Sequence, residues 1–151
     1  MKFDVIIPLR SKSKGLKNKN VLDFEKKENL TNYTLKKIIS LKSINKIHIL
    51  TDSQIYKKKI LSHKRVDKTF IRKKKHSHGN SKIQDLVFDF LKSFGKNCPK
   101  NLILLQVTSP LLSKYEILKT LNFISKKKIK SLFHVSKVIE HPNEIIQSKN
   151  S

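Results

Sequence analysis

Runs of residues typical of buried β-strands alternate along this chain with runs typical of α-helices, and this order constrains the fold more than any other feature. The first run, residues 3–7, is short and apolar and ends at Pro8. Similar runs predict four further strands, over 46–51, 65–71, 102–107 and 131–135. Strands and helices in alternation predict an α/β fold, a three-layer sandwich around a mainly parallel sheet.

Four helices are predicted between these strands. The clearest has apolar residues at positions i, i+3, i+4, i+7, i+8 and i+11, a spacing that places them on one helical face. They are Ile83, Leu86, Val87, Phe90, Leu91 and Phe94. Gly95 is predicted to end this helix. The other helices are predicted over 53–62, over 115–124, and after the possible N-caps Thr31 and Asn32.

Length and composition predict one domain. The chain has 151 residues, 37% of them hydrophobic, and neither an internal repeat nor a Pro/Gly-rich linker divides it. Residues 1–151 are therefore predicted to bury one core. No apolar run approaches the ~20 residues needed to cross a bilayer, and Cys98 alone cannot support a disulfide framework. We expect a soluble, cytoplasmic protein without a membrane partner.

The net charge of +23 has two possible explanations. Lysine and arginine number 34 against 11 acidic residues, yet only Arg10, Arg65 and Arg72 are arginines, and alanine is absent. Lysine, isoleucine and asparagine have A/T-rich codons, so genomic bias could produce this composition without selection for a partner. Specialised nucleic-acid binders more often use arginine forks and aromatic platforms, and aromatics are only 7% here. No specific nucleic-acid partner is expected, although such a field attracts polyanions nonspecifically.

The polar loop 10–20, directly after the first strand, is the most unusual segment. Ligands of parallel α/β sheets gather at the carboxyl ends of the strands. The loop alternates cations with small or polar residues; its cations are Arg10, Lys12, Lys14, Lys17 and Lys19. Such a loop can hold a triphosphate, because backbone N–H groups approach the anion while the cations neutralise it. It is not a Walker A loop. A solvated lysine-rich loop is the other interpretation.

The segment VIIPLRSKSKGLKNKN, residues 5–20, resembles the opening signature of the acylneuraminate cytidylyltransferases, the CMP-sialic acid synthetase family, which reads IIPAR-x-G-SKG-(I/L)-x-x-KN. The matching residues are Arg10, Ser13, Lys14, Gly15, Lys19 and Asn20. Further family-like blocks follow in order: YTL at 33–35, LTDS at 50–53, LLQVTSPL at 104–111 and EHP at 140–142. The first segment is most similar to the legionaminic-acid members.

The resemblance implies a Rossmann-like, nucleotide-diphospho-sugar transferase fold and a nucleotidyltransferase activity. The implied reaction transfers CMP from CTP to a nine-carbon keto-sugar acid, releasing pyrophosphate, for cell-surface glycan and lipopolysaccharide biosynthesis. Arg10, Lys14 and Lys19 would be the catalytic cations that hold the triphosphate, and Asn20 would help to position the nucleotide. The remaining implied nucleotide-binding residues are Ser13, Gly15, Ser81 and Gln106. Gln106 could instead only form hydrogen bonds with backbone groups at the end of a strand. Family members use Mg²⁺ and form homodimers.

Several positions depart from the family pattern. Leu9 replaces an alanine, Lys12 a loop glycine and Leu112 an arginine, and residues 78–82 lack an Asp and a Thr expected there. The family's late acidic metal site would lie beyond Ser151, so the resemblance implies Mg²⁺ without its ligands in these residues. We therefore expect either an enzyme or a truncated, weakly active or inactive remnant that binds nucleotides or polyanions. Marginal folding of the chain alone is a third possibility.

Two other groups of polar residues are candidate metal ligands. Asp52 ends a predicted strand, where it could bind a metal or, as we predict, stabilise its own turn. His76 and His78 could form a metal pair, but no third ligand is near them in the sequence. They are predicted to be solvated, within an exposed loop over 73–79.

Overall fold

The computed structural model describes residues 1–11, 16–25, 28–78 and 80–135. The strands are β1 (Phe3–Leu9), β2 (Asp23–Glu25), β3 (Glu28–Asn29), β4 (Ile44–Thr51), β5 (Val66–Asp67) and β6 (Leu102–Leu104). The α-helices are α1 (Leu30–Ile38), α2 (Gln54–Lys59), α3 (Ile83–Lys92) and α4 (Lys114–Lys127). Short 3₁₀ turns lie at Lys74–His76 and Gly95–Asn97.

Four strands form one parallel sheet in the order β5-β4-β1-β6. β1 is central and pairs with β4 along most of its length, from Phe3 opposite Ile44 to Leu9 opposite Thr51. β2 and β3 form a separate antiparallel ribbon. Parallel strands joined by helices confirm the predicted α/β class.

Apolar residues cover both faces of the sheet, because successive side chains of a strand point to opposite sides. On one face the core includes Val5 and Ile7 of β1, packed with residues of α1, α2 and α4 such as Leu35, Tyr56 and Leu121. The opposite face is covered by α3, in a second buried cluster formed by Ile6, Leu50, Leu86 and Phe90. The predicted three layers are therefore present.

Helix α1 begins one residue after Asn29, so the prediction of Thr31 or Asn32 as its N-cap is wrong. The Asn29 side chain accepts a hydrogen bond from the Asn32 N–H at 2.9 Å, as an N-cap does. Thr31 is buried, and its hydroxyl donates to the carbonyl of Asn20 at 2.7 Å. The capping residue lies at the end of β3, which the apolar pattern did not indicate.

The later strands are shorter than predicted. The strand expected over 65–71 is reduced to Val66–Asp67 and an isolated bridge between Thr51 and Ile71. The strand expected over 102–107 ends at Leu104, which is 45% exposed, so it is not buried on both faces. β6 pairs with β1 on one side, and within the described residues no strand pairs with its other side. Residues 131–135 form no strand, which contradicts the prediction.

Within the described part of the chain, no helix combines the length and the apolar character needed to cross a bilayer.

Candidate nucleotide-binding site

A cavity of about 230 Å³ lies beyond the carboxyl ends of β1 and β6. It brings together side chains from the first loop, from the segment before α3 and from the segment after β6. The lining residues are Pro8, Arg10, Lys19, Asn20, Arg72, Ser81, Ile83, Gln106, Val107 and Thr108. Five of the predicted site residues thus lie in one cavity: Arg10, Lys19, Asn20, Ser81 and Gln106.

Arg10 is the first residue after β1, and its position follows from the strand that precedes it. β1 pairs with β6 as far as Ile6 and with β4 as far as Leu9, so the residue before Arg10 is still held by the sheet. The Arg10 Nη1 donates to the carbonyl of His78 at 3.1 Å. This bond ties the first loop to the segment before α3.

Asp52 holds the beginning of the first loop and does not stabilise its own turn. Its carboxylate accepts the Ser11 N–H and the Ser11 hydroxyl, each at 2.9 Å. The turn after β4 is instead stabilised by the hydroxyl of Thr51, which accepts the Ser53 N–H at 3.2 Å. The predicted turn role of Asp52 is therefore wrong, because its partner is distant in sequence.

The end of the first loop is anchored by two contacts. Asn18 has a left-handed backbone, with φ of 57°, and its side-chain oxygen accepts the Tyr56 hydroxyl at 3.3 Å. The Asn20 carbonyl accepts both the N–H and the hydroxyl of Thr31. Asn20 is buried, and among the described residues its side-chain Oδ1 has no hydrogen-bond partner. Buried polar groups nearly always have a hydrogen-bond partner, so an amide oxygen without one, in a residue that lines the cavity, makes Asn20 a candidate for ligand contact.

Arg72 is a cavity residue that sequence reasoning did not select. It follows the bridge between Thr51 and Ile71, and its N–H donates to the Thr51 carbonyl at 3.1 Å. Its guanidinium Nε and Nη2 both donate to the carbonyl of His76, Nε at 2.8 Å. The only available signal was composition, since this is one of three arginines in a lysine-rich chain.

The Arg72 guanidinium is a buried cation. Burial lowers the pKa of Arg72, the nearby Asp52 carboxylate raises it, and the Arg10 guanidinium lowers it. Arginine nevertheless stays protonated at neutral pH. A buried guanidinium next to another one favours an anionic ligand, because each cation loses solvation that an anion can replace.

Ser81 and Gln106 reach the cavity from different sides of β1. The Ser81 hydroxyl lies 2.7 Å from the carbonyls of both His76 and His78, so it already has protein acceptors. Gln106 follows β6 and is exposed, and it also lines a second, larger groove of about 740 Å³ between β6 and α4. Gln106 therefore lies where the two cavities meet.

The two histidines have different environments, and one prediction about them is wrong. His78 is exposed, as predicted, but His76 is 5% exposed. The His76 Nε2 lies 3.6 Å from a carboxylate oxygen of Asp89 on α3. Across the described residues, no group of three or more His, Cys, Asp or Glu side chains could hold a metal ion.

Three of the predicted nucleotide-binding residues, Ser13, Lys14 and Gly15, lie outside the described residues, as do Lys12 and the EHP block at 140–142. Lys17 is exposed and does not line the cavity.

A sequence model of the family described as Cytidylyltransferase matches residues 5–150, almost the whole chain. This chain belongs to the cytidylyltransferase family. The resemblance that the first loop carries is thereby confirmed. The cavity described above lies where the signature residues of that family begin, at the end of β1.

Curated relatives of this cytidylyltransferase-family chain include the N-acylneuraminate cytidylyltransferase of Streptococcus agalactiae serotype V, which is 32% identical over 145 residues. The corresponding protein of serotype III is 33% identical over 144 residues. These alignments cover 95% and 94% of this chain but 34% of each relative. The chain thus spans about a third of the length of the curated relatives it matches.

Two solved structures share the fold of this family member. CMP:2-keto-3-deoxy-manno-octonic acid synthetase complexed with CTP superposes with a TM-score of 0.65 at 15% identity, over 85% of this chain and 49% of that one. The 4-diphosphocytidyl-2C-methyl-D-erythritol synthase of Anaerococcus prevotii gives 0.57 at 18% identity, over 83% and 51%. The predicted Rossmann-like nucleotidyltransferase fold is confirmed.

The described cavity does not fit a resident divalent cation. Mg²⁺ prefers carboxylate and water oxygens, and none of the lining residues carries a carboxylate. The nearby Asp52 carboxylate is already bonded to Ser11. Three of the lining residues are cations, Arg10, Lys19 and Arg72. The chemistry of this donor set suits the phosphates of a nucleotide rather than a free metal ion.

Proposed function

We propose that this chain binds CTP in the cavity at the end of β1 and takes part in transferring CMP to a nonulosonic sugar acid. The observation that carries the proposal is the convergence of three cations, Arg10, Lys19 and Arg72, in one cavity that Asn20 also lines. Membership of the cytidylyltransferase family supports the nucleotide class. The names of the curated relatives support the class of sugar acid.

The three cations would neutralise the triphosphate. Arg10 and Lys19 reach the cavity from the two ends of the first loop, and Arg72 reaches it from the segment before α3. Bonds to charged groups are stronger than neutral ones, and guanidinium groups can bind phosphate oxygens in pairs. We also propose that Lys14, Ser13 and Gly15 bind the triphosphate, on the basis of the signature alone.

The uncharged residues would recognise the rest of the nucleotide and the acceptor. The Asn20 side-chain oxygen has no partner among the described residues and would accept a hydrogen bond from the nucleoside. The Ser81 hydroxyl already donates to the protein, so it would have to give up its bond to a backbone carbonyl in order to donate to the ligand. Gln106 lies between the cavity and the larger groove. That position supports a contact of its amide with both the nucleotide and the sugar acid.

In the proposed reaction the anomeric hydroxyl of the sugar acid attacks the α-phosphorus of CTP. The new bond joins the sugar oxygen to the α-phosphorus, while the bond from the α-phosphorus to the bridging oxygen breaks and pyrophosphate leaves. The hydroxyl proton passes to solvent. Positioning and charge stabilisation supply most of the catalysis in such transfers. The cavity cations would stabilise the charge that develops on the leaving pyrophosphate.

Mg²⁺ stays a proposed cofactor from the family resemblance, and the described cavity residues provide no site for it. Titrating Mg²⁺ into the protein alone and into the protein with CTP would test this. Binding only in the presence of CTP would agree with a donor set that lacks carboxylates.

Isothermal titration with CTP, UTP, ATP and GTP tests the binding step. We expect CTP to bind more tightly than the others and the Arg10→Ala variant to lose most of that affinity. Turnover is then tested by pyrophosphate release with CTP, Mg²⁺ and a panel of acids that includes N-acetylneuraminate and legionaminate. Equal binding of all four nucleotides would contradict the proposal.

A second candidate function is binding of nucleotides or other polyanions without turnover. The net charge of +23 favours it. Such binding would fall steeply with salt and would not depend on the base. Measuring the CTP affinity at about 50 and 200 mM salt distinguishes the two candidates, because a specific site retains its preference for CTP at both.

Finer features of the proposal come from the resemblance alone. They are legionaminic acid as the acceptor, a role in lipopolysaccharide or other cell-surface glycan biosynthesis, a cytoplasmic location and a homodimeric state. Sedimentation velocity tests the dimer, and the acid panel tests the acceptor.

A further inference from the structure

The 3₁₀ turn at Lys74–His76 and the residues directly after it present two backbone carbonyls, those of His76 and His78, to side chains of the cavity wall. The His76 carbonyl accepts the Arg72 guanidinium through two of its nitrogens, and it also lies 2.7 Å from the Ser81 hydroxyl. The His78 carbonyl accepts the Arg10 guanidinium at 3.1 Å. Both guanidiniums of the cavity are thus held by carbonyls of one short segment.

The other side of this turn is anchored on helix α3. The Lys73 ammonium donates to one carboxylate oxygen of Asp89 at 2.9 Å. The buried His76 imidazole lies 3.6 Å from the other oxygen. At that distance the two groups are in electrostatic contact without a hydrogen bond, and neither His76 Nε2 nor that Asp89 oxygen has a hydrogen-bond partner among the described residues. Asp89 therefore contacts side chains of the turn at its start and at its end.

We infer that Asp89 and His76 are positioning residues for the nucleotide site. They fix the turn on α3 so that the His76 carbonyl, and the His78 carbonyl two residues later, hold the Arg72 and Arg10 guanidiniums at the cavity wall. The inference rests on the proposed nucleotide function. Neither residue lines the cavity, so each acts through the arginines and not on the ligand.

The arginines need this support because a long side chain loses much rotational freedom when it binds. Two of the three Arg72 guanidinium nitrogens contact the His76 carbonyl, and its Nη1 and the remaining Nη2 hydrogen are free of that contact. A guanidinium held in this way presents its other donors in a set direction, so less freedom is lost when phosphate binds.

The sign of the expected effect separates positioning from simple electrostatics. Asp89 carries a negative charge, so removing it makes the surroundings of the cavity more positive. Charge alone then predicts tighter binding of an anion. Positioning predicts weaker binding, because the turn loses its anchor.

The test compares Asp89→Ala with Asp85→Ala by isothermal titration with CTP. Asp85 is the matched control, because it carries the same charge on the same helix, one turn earlier, and is exposed. We expect Asp89→Ala to weaken CTP binding by about five- to tenfold, the size of one ordinary hydrogen bond. Asp85→Ala should bind as the unchanged protein does, or more tightly. Unchanged or tighter binding by Asp89→Ala overturns the inference.

A second measurement follows the arginines directly, without a ligand. The chain has three arginines, so their Nε–H signals in a ¹H–¹⁵N spectrum can be assigned by substitution. The Arg72 signal should shift in Asp89→Ala and His76→Gln but not in Asp85→Ala. An Arg72 signal that stays in place in both variants overturns the inference.

The two measurements also separate this inference from the proposed function. If the unchanged protein does not bind CTP, the proposed function fails, while the Arg72 signal still reports whether Asp89 holds the turn. If Asp89→Ala does not fold, Asp89→Asn, which keeps the shape and removes the charge, replaces it in both experiments. Asp89→Asn should weaken CTP binding, although by less than the five- to tenfold expected for Asp89→Ala. Tighter binding would again overturn the inference.

Discussion

A carboxylate oxygen of Asp4 on β1 lies 2.9 Å from the imidazole Nε2 of His48 on β4, and both side chains are buried in the sheet. The other Asp4 oxygen accepts the Asn45 side-chain amide at 2.8 Å. The His48 Nδ1 lies 3.4 Å from Asp67 on β5. One polar cluster therefore joins three neighbouring strands on the face of the sheet that α3 covers, where the His48 ring packs against Phe90.

Removal of Asp4 should be strongly destabilising. Asp4→Ala leaves the buried His48 without its nearest partner, and breaking a buried pair lowers the free energy of unfolding by about 3–5 kcal/mol. The pair of the exposed Lys36 and the partly buried Glu28 is the control, since Lys36→Ala should cost less, about 1 kcal/mol. Urea unfolding measures both. Equal losses in the two variants would contradict a structural role for the buried pair.

Acid should weaken the sheet edge through Asp67. Burial raises the pKa of the Asp67 carboxyl, but the hydrogen bonds from Thr69, together with Lys46 and His48, outweigh it and lower the pKa below its ordinary 3.8. A carboxyl with a lowered pKa stabilises the folded state above its unfolded pKa. This contribution is lost as the pH falls through the folded value, below about pH 4.

Thr69→Val tests this pH dependence, because valine keeps the shape and removes the hydroxyl bond to Asp67 at 2.6 Å. We expect a lower free energy of unfolding at pH 7 than in the unchanged protein, and a smaller further loss on acidification. Urea unfolding at several pH values gives the comparison. Parallel curves for the two proteins would show that the Thr69 hydroxyl does not act through Asp67 ionisation.

Replacement of Arg72 by lysine should weaken CTP binding by about tenfold, because an ammonium cannot contact the His76 carbonyl and the ligand with a planar set of donors. Arg65→Lys is the matched control. Arg65 donates to the carbonyls of Ile39 and Leu41 and does not line the cavity. Isothermal titration should therefore show an unchanged CTP affinity for Arg65→Lys. Equal affinities in both variants would remove Arg72 from the proposed site.

Helix α4 should depend on its N-cap. The Ser113 hydroxyl accepts the Glu116 N–H at 3.1 Å, and the Glu116 carboxylate accepts the Ser113 N–H at 2.7 Å, which forms a capping box. Ser113→Ala should lower the free energy of unfolding by about 1 kcal/mol. Ser113→Asp should lower it by much less, because an aspartate side chain can also cap the helix. Denaturant titration measures both. No loss in Ser113→Ala would mean that the cap contributes nothing to stability.

Residue patterns alone predicted the parts of the fold that depend on neighbours in sequence. The apolar run of β1 and the helical spacing of α3 depend only on residues close in sequence, and both elements are present in the structure. The short strand β5 and the irregular residues 131–135 were mispredicted, because strand pairing requires a partner that local patterns do not reveal. β6 stops at Leu104 for the same reason.

The candidate site divides in the same way. Arg10, Lys19 and Asn20 could be selected from the sequence, since they belong to one contiguous signature at the end of a strand. Arg72 could not, because it lies far from that signature in the sequence and reaches the cavity only in the folded chain. The contact between His76 and Asp89 could not either, because Asp89 lies on α3 and meets the turn only when that helix packs on the sheet. Sequence determined the family and the order of the elements. Tertiary structure decided which side chains share the cavity, because distance in space depends on packing and not on spacing along the chain.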